Sequence, residues 1–223
     1  MPVPTRAARE VFGSKTPQAQ AYANLLAGPG VERGLIGPAE AQRIWDRHLV
    51  NSALVAEFLP GTEAEAFAQA RSTRLADLGS GAGLPGIVLA ILRPDMAVVL
   101  VEPMARRTAF LAECVRELGL RNVEICRARA EELAGKLGAD IVTSRAVARL
   151  DRLAVLAAGV CRPGGLVLAI KGASARAELE RARPVLKRLG VVDAEVVTAG
   201  TRLGGLIEQL TTVIRFRTRE APE

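Results

Sequence analysis

Up to about residue 72 the apolar positions recur at helical spacing, and from Thr73 onward they fall into short unbroken runs alternating with helix-length segments. The first pattern predicts one helix over 17–27, broken by Gly28-Pro29-Gly30, and a second over 38–59 whose apolar positions Ile44, Leu49, Leu54, Val55 and Phe58 share a face. Residues 60–72 read as a loose connector rich in alanine and glutamate. The second pattern predicts strands at 73–78, 98–101, 123–126, 141–143 and 166–170. Between them it places helices at 85–92, 104–118 and 150–160, with a short one after Glu131-Glu132 and another at 175–189. Two last strands, 194–198 and 210–217, are expected to pair as a hairpin. This alternation specifies an α/β fold: a doubly wound, mostly parallel, Rossmann-like sheet with right-handed crossovers. The expected division is an N-terminal helical extension over 1–72 and a cofactor-binding domain over 73–223.

The first strand runs into Asp77-Leu78-Gly79-Ser80-Gly81-Ala82-Gly83-Leu84-Pro85-Gly86, a strand-to-helix turn with proline expected in the first helical turn. Glycine reaches φ > 0 and has no Cβ, so such a turn bends sharply and lies flat against a ligand. Gly81-x-Gly83-x-x-Gly86 satisfies the dinucleotide fingerprint, which leaves two cofactor classes open. Asp77 is expected to point into the mouth of the loop, where it would repel a pyrophosphate and attract an ammonium or sulfonium; S-adenosylmethionine carries both. Glu102 ends the next strand roughly twenty residues past the glycines, where a ribose diol needs an acceptor. An NAD-dependent oxidoreductase is the rival, disfavoured by Asp77 and by the lack of an acid or base for hydride transfer.

In a doubly wound sheet the ligand crevice lies at the carboxyl ends of the strands, which selects Asp77, Glu102, Arg129-Ala130-Glu131, Ser144-Arg145 and Lys171-Gly172. Ala130 and Glu131 either receive an adenine edge or place acid at a helix N-terminus. Arg145 and Lys171 put cations beside a cationic cofactor, an arrangement suited to an anionic substrate; the alternatives are a bridge from Arg145 to Asp140 or Glu131 and a solvated Lys171. Arg215, Arg217 and Arg219 alternate along the last strand, as an RNA-facing stripe or a solvated outer face. His48, the only histidine, is either structural or a lid on the cofactor pocket, and its neighbour Arg47 is a candidate phosphate contact.

At 223 residues, with 49% hydrophobic, the chain can build a full-size core. Its net charge of +6 favours a polyanionic partner, although an arginine-rich composition produces basic enzymes for other reasons too. Cys114, Cys126 and Cys161 show no C-x-x-C spacing, so they read as reduced packing residues and no metal site is expected. No apolar run approaches the roughly 18 residues of a membrane span, and residues 1–10 are polar and unlike a signal peptide, so a cytoplasmic protein is expected.

The glycine loop, Arg47-His48-Leu49-Val50-Asn51-Ser52, Arg129-Ala130-Glu131-Glu132, Thr143-Ser144-Arg145-Ala146-Val147 and Arg162-Pro163-Gly164-Gly165 followed by Lys171-Gly172 together resemble the RsmG (GidB) family over nearly the whole chain. These are small-subunit ribosomal RNA methyltransferases of the class I fold. The resemblance implies methyl transfer from S-adenosylmethionine to N7 of a guanine in the 530 loop of 16S rRNA; separately, a monomer acting on that RNA within a small-subunit particle is expected. It implies cofactor contacts at Gly79, Leu84, Glu102, Ala130, Glu131 and Arg145, to which the loop itself adds Asp77, Gly81 and Gly83. Arg145, Lys171 and Arg129 become candidates for positioning the substrate, and Arg47, His48, Arg215 and Arg217 for contacting RNA. Asn51 departs from the family, which often has aspartate there, and the turn over 28–37 differs from the common form. Guanine N7 attacks through an in-plane lone pair and needs no general base. In agreement, the chain has neither an Asn/Asp-Pro-Pro-Tyr run nor a convincing cysteine nucleophile. With aromatics at 3%, recognition should rest on arginine and RNA shape rather than a stacking platform. A non-catalytic RNA-binding module of the same fold is the remaining rival.

Overall fold

The computed structural model describes residues 1–61, 72–191 and 193–219. Its strands are β1 (Arg74–Leu78), β2 (Ala97–Val101), β3 (Val123–Cys126), β4 (Ala139–Arg145), β5 (Cys161–Lys171), β6 (Glu195–Ala199) and β7 (Thr211–Arg217). They form one seven-stranded sheet in the order β3-β2-β1-β4-β5-β7-β6. Neighbours among β1 to β5 are parallel, whereas β7 runs antiparallel between β5 and β6. The expected hairpin of the last two strands is therefore present, and its second strand docks against β5.

Side chains alternate across the sheet and give each face its own core. Leu75, Leu100, Ile141 and Leu168 point to one side, into a cluster with Ile87, Phe110 and Tyr22. Ala76, Val99, Val142 and Val167 point to the other, against Leu153, Ala157, Leu179 and Leu186. Strands buried on both faces read as continuous apolar runs, which is why these were visible in the sequence. The first face is covered by α1 (Arg6–Phe12), α2 (Thr16–Leu25), the short α3 (Pro38–Ala41) and α4 (Asn51–Ala53), α5 (Gly86–Leu92) and α6 (Ala105–Glu117). The second is covered by α7 (Leu150–Val160) and α8 (Ala175–Arg188). Phe12 and Trp45 meet edge to face at 6.1 Å within the N-terminal layer, whose core is continuous with that of the sheet.

Several elements differ from expectation. The helix expected to stop before Gly28 passes instead into a π-helical turn, Leu26–Gly30. Pro29 has no N–H to give the Leu25 carbonyl, so the α pattern cannot continue there and the turn widens. The single helix expected over 38–59 is a series: α3, a break at Arg43 (φ −112°, ψ 23°), a π-helical segment Ile44–Val50, α4, and a 3₁₀ segment Leu54–Phe58. Pro85, expected inside the first turn of its helix, caps α5 instead. β4 extends to Arg145, which becomes its last residue rather than the residue after it. β5 begins at Cys161, so Arg162 to Gly165 are a bulge within the strand and not a preceding turn: Ala139 pairs with Cys161 but Ile141 with Leu166. The connector expected over 60–72 falls, for 62–71, outside the described residues. Among the described residues no helix is long and apolar enough to cross a membrane.

Candidate functional site

β1 ends at Leu78, and Gly79, Gly81 and Gly83 follow at φ +65°, +59° and +103°. The first of these turns the chain over the end of β2, where Gly79 N and Ser80 N both donate to Val101 O at 2.8 and 3.1 Å. Tyr22 on α2 reaches the loop from beneath, its hydroxyl donating to Ala82 O at 2.7 Å. Glu102 clamps the other side: Oε2 accepts from Gly81 N and Oε1 from Met104 N, each at 3.0 Å. The fold thus joins the loop, the end of β2 and an N-terminal helix around a cavity of about 430 Å³. Gly79 to Ala82, Leu84, Glu102, Met104, Arg107, His48 and Arg145 are on its walls. Its size suits a small organic cofactor. Each Glu102 oxygen, having accepted one backbone N–H, retains a lone pair for a hydroxyl.

Asp77 does not point into the mouth of this loop. It is fully buried and lies on the same sheet face as Leu75, beneath the start of α5, where Oδ2 accepts from Gly86 N at 3.1 Å. Oδ1 is buried without a hydrogen-bond partner. Burial pushes this carboxyl up to about 7, partly opposed by the Gly86 amide. Asp77 therefore fastens the loop to α5, and any pull on a cationic cofactor is exerted through the loop rather than by contact.

Arg145 forms neither the bridge to Asp140 nor the one to Glu131 that the sequence left open. Those acids pair with Arg162 at 2.6 Å and Arg152 at 3.2 Å. The Arg145 guanidinium instead turns to the N-terminal helices, donating to His48 Nδ1 at 2.9 Å, Arg47 O at 3.2 Å and Ser52 Oγ at 3.4 Å. His48 Nε2 meets Glu40 Oε2 at 2.9 Å, and Arg47 Nε meets the same oxygen at 3.1 Å. Burial, reinforced by the Arg145 charge, pushes His48 down to about 4, so its ring is neutral. Burial and the charge of Arg47 also lower Arg145 from its ordinary value. Lys171 is neither solvated nor open to a substrate: its ammonium binds Glu178 at 2.8 Å and Ala148 O at 2.9 Å, bracing the segment after β4. Within that segment Ala146 has φ +55°, and Val147 lies over the cofactor loop.

Other sequence candidates are not among the residues lining this cavity. Ala130 packs toward the opposite core, the Glu131 carboxylate is taken by Arg152, and Arg129 caps a 3₁₀ turn, Ala130–Leu133. Gly83 is close against Ile87 and the Tyr22 hydroxyl, so it packs beneath the loop. Arg215 and Arg217 pair in register with Leu168 and Leu166, three and five residues before the end of β5, and bind Glu195 and Gly164 O. An RNA stripe there would lie away from the cavity. Sequence reasoning passed over Tyr22 and Arg107. Tyr22 sits in an ordinary apolar helical stripe and carries no signal of its role, while Arg107, 3.5 Å from Glu102, lies five residues on in α6, a spacing that does not mark the two as neighbours.

Comparison with known proteins agrees with this architecture. The family model "GidB: rRNA small subunit methyltransferase G" matches residues 15–207. A Ribosomal RNA small subunit methyltransferase G of Thermobifida fusca is 52% identical over 221 residues, covering 99% of this chain and 88% of that protein. One from Streptomyces avermitilis is 45% identical over 223 residues, covering 100% and 88%. Among solved structures, the N-methyltransferase NodS of Bradyrhizobium japonicum has a TM-score of 0.55 at 14% identity, covering 86% of this chain and 98% of that one. A putative S-adenosyl-L-methionine-dependent methyltransferase of Methanococcus maripaludis has a TM-score of 0.54 at 15% identity, covering 82% and 94%. These two show the class I methyltransferase fold. By the family model and by its relatives, the chain belongs to the GidB family, the rRNA small subunit methyltransferases G.

Proposed function

We propose that this protein transfers a methyl group from S-adenosylmethionine to N7 of a guanine in the 530 loop of 16S rRNA. The cofactor is S-adenosylmethionine, as membership of a methyltransferase family and the class I fold together require. When bound it supplies an electrophilic methyl on a sulfonium. The glycine loop and Glu102 would hold it, with the loop backbone against one side and the Glu102 lone pairs available to ribose hydroxyls.

The observation that carries the N7 reading is that the ionisable side chains on the cavity walls are already committed. His48 gives Nδ1 to Arg145 and Nε2 to Glu40. Each Glu102 oxygen takes one backbone N–H, and its remaining lone pair would go to a ribose hydroxyl of the cofactor. Arg107 and Arg145 are cations. Among the described residues lining this cavity no side chain is left over to take a proton, and N7 has none to lose. Catalysis then rests on proximity and alignment, which contribute on the order of 7–11 kcal/mol when a lone pair is held in line. Arg145 orients the acceptor, and the neighbouring cations favour approach of a polyanion. The protein works in the cytoplasm, on the small-subunit particle.

The test is transfer of radiolabelled methyl to small subunits lacking the modification, and to stripped 16S rRNA, with the nucleoside identified by mass. N7-methylguanosine at a single site is the expected product. Methyl on an exocyclic amine or a pyrimidine carbon would overturn the reading.

A further inference from the structure

A second, larger cavity of about 620 Å³ adjoins the cofactor cavity, and the two share Arg145, Ala146 and Val147 as a common wall. It opens at the carboxyl ends of β4 and β5, the side on which ligands bind in doubly wound sheets. Its cationic walls are Arg43, Arg47, Arg145, Arg149 and Lys171, set against Asp46, Glu178 and Glu208. Lys171 and Glu178 neutralise each other in a largely buried pair, and Asp46 accepts from Thr5 Oγ1 at 3.0 Å.

The other arginines are held loosely. Arg43 lies 3.3 Å from Glu208 and Arg149 lies 3.5 Å from Asp151, in pairs whose arginines are well exposed, and Arg47 shares Glu40 with His48. Exposed pairs of this kind contribute little, so a phosphate can displace the carboxylate at small cost. The cavity also has apolar walls. Val147 and Leu210, 40% and 38% exposed, are two of the few large hydrophobic side chains left bare among the described residues, and both line it. No aromatic side chain is among its lining residues within the described chain. Loosely held arginines at the walls, aliphatic side chains bare to solvent and a shared boundary with the cofactor cavity describe an occupant with anionic links and a flat apolar part. A nucleotide within a single-stranded stretch of RNA has both.

We propose that this cavity receives the acceptor nucleotide: Arg43, Arg47 and Arg149 take phosphates flanking it, and Val147 and Leu210 guide its base to the Arg145–Val147 wall. The inference rests on the RNA reading above and adds to it the strand's path and the residues that contact it.

The experiment compares wild type with the double variant Arg43→Gln/Arg149→Gln and with Leu210→Gln, using binding to fluorescent small subunits over a salt series and, separately, methyl transfer. The arginine variant should bind about tenfold more weakly, and its slope of log affinity against log salt should fall by roughly 0.7–0.9 per arginine removed. Its affinity for S-adenosylmethionine by calorimetry should be unchanged. Leu210→Gln should lower kcat while leaving the salt slope alone. A charge-matched control, Arg116→Gln/Arg183→Gln, alters exposed arginines on α6 and α8 that line neither cavity. If wild type methylates its particle while the Arg43/Arg149 variant keeps wild-type binding and slope, or while the control falls equally, the proposed path is wrong and the function stands. If wild type neither binds nor methylates the particle, the RNA reading fails and this inference with it.

Discussion

Arg145 Nη2 lies 2.9 Å from His48 Nδ1, and because guanidinium is always a donor, that ring nitrogen must be an acceptor. His48 is therefore the neutral tautomer with its proton on Nε2, donated to Glu40. The chain Glu40, His48, Arg145 fixes a cation at the end of β4 from an element remote in sequence. The histidine acts as a positioning residue, and its function is an acceptor at Nδ1.

Substitution can separate that acceptor from the bulk of the ring. Asparagine places an amide oxygen near the Nδ1 position, whereas leucine fills space without accepting. His48→Leu should lose about 2 kcal/mol of the interaction, roughly 30-fold in cofactor affinity or kcat/KM, and His48→Asn should recover most of it. Calorimetry with S-adenosylmethionine and steady-state kinetics on small subunits measure both. Equal behaviour of the two variants would mean that ring packing matters and the hydrogen bond does not.

Tyr22 extends the same principle to the cofactor loop. Its buried hydroxyl is a hydrogen-bond donor from the N-terminal layer to Ala82 O. Tyr22→Phe leaves that carbonyl short of a partner at nearly unchanged volume, which costs about 1–3 kcal/mol. The expected result is a lower unfolding midpoint together with weaker S-adenosylmethionine binding. A loss of stability with wild-type affinity would show that the loop holds its shape without this tether.

The sheet was legible because its central strands are buried on both faces and interrupted by helices of ordinary period; α7 falls on the expected 150–160. The bulge at Arg162 to Gly165 was hidden because it exists only in register with Asp140, a relationship between strands. Asp77 was located correctly along the chain but misdirected. Its spacing to Gly79 is the same whether the carboxylate lies above the loop or under it, and only packing against Gly86 decides. Arg145 was selected by its place at the end of the fourth strand, while its partners His48 and Ser52 became visible once the N-terminal helices were placed beside β4. Tyr22 had no signal, since a tyrosine on an apolar stripe reads as core.

Two glycines of the loop separate site from scaffold. A Cβ on Gly79 would meet Val147 Cγ2 at 2.4 Å, at a residue whose φ of +65° is unfavourable for side chains. The left-handed conformation costs roughly 1–2 kcal/mol, and Val147, 40% exposed, can move aside. Gly79→Ala should therefore fold and lose cofactor affinity by tenfold or more. A Cβ on Gly86 meets Leu100 Cδ2 at 2.3 Å and Asp77 Oδ2 at 2.7 Å, both buried. Overpacking there costs typically about 1–3 kcal/mol, exceeding the roughly 1 kcal/mol that alanine gains in helix propensity. Gly86→Ala should lower stability first, and denaturant midpoints alongside calorimetry will separate the two effects.

Two groups of the site, Asp77 and His48, are shifted in opposite directions within the range of pH 4 to 7. Asp77 is pushed up to about 7 from an ordinary 3.8, so between those values the folded protein holds a proton that the unfolded chain has released. Its contribution to stability is present at low pH and lost as pH rises toward 7. His48 is pushed down to about 4 from 6.5, so over that window the unfolded chain holds the extra proton. Its contribution is lost as pH falls from 6.5 to 4. Each group drives a slope approaching about 1.4 kcal/mol per pH unit, with opposite signs. Between pH 4.5 and 6.5 they largely cancel in the wild type. Removing one exposes the other: relative to wild type, Asp77→Asn should gain stability with rising pH across this window, and His48→Asn should lose it. Urea unfolding at intervals of half a pH unit measures both slopes. Parallel curves for the three proteins would place both groups at their ordinary values and remove burial as the dominant influence on this site.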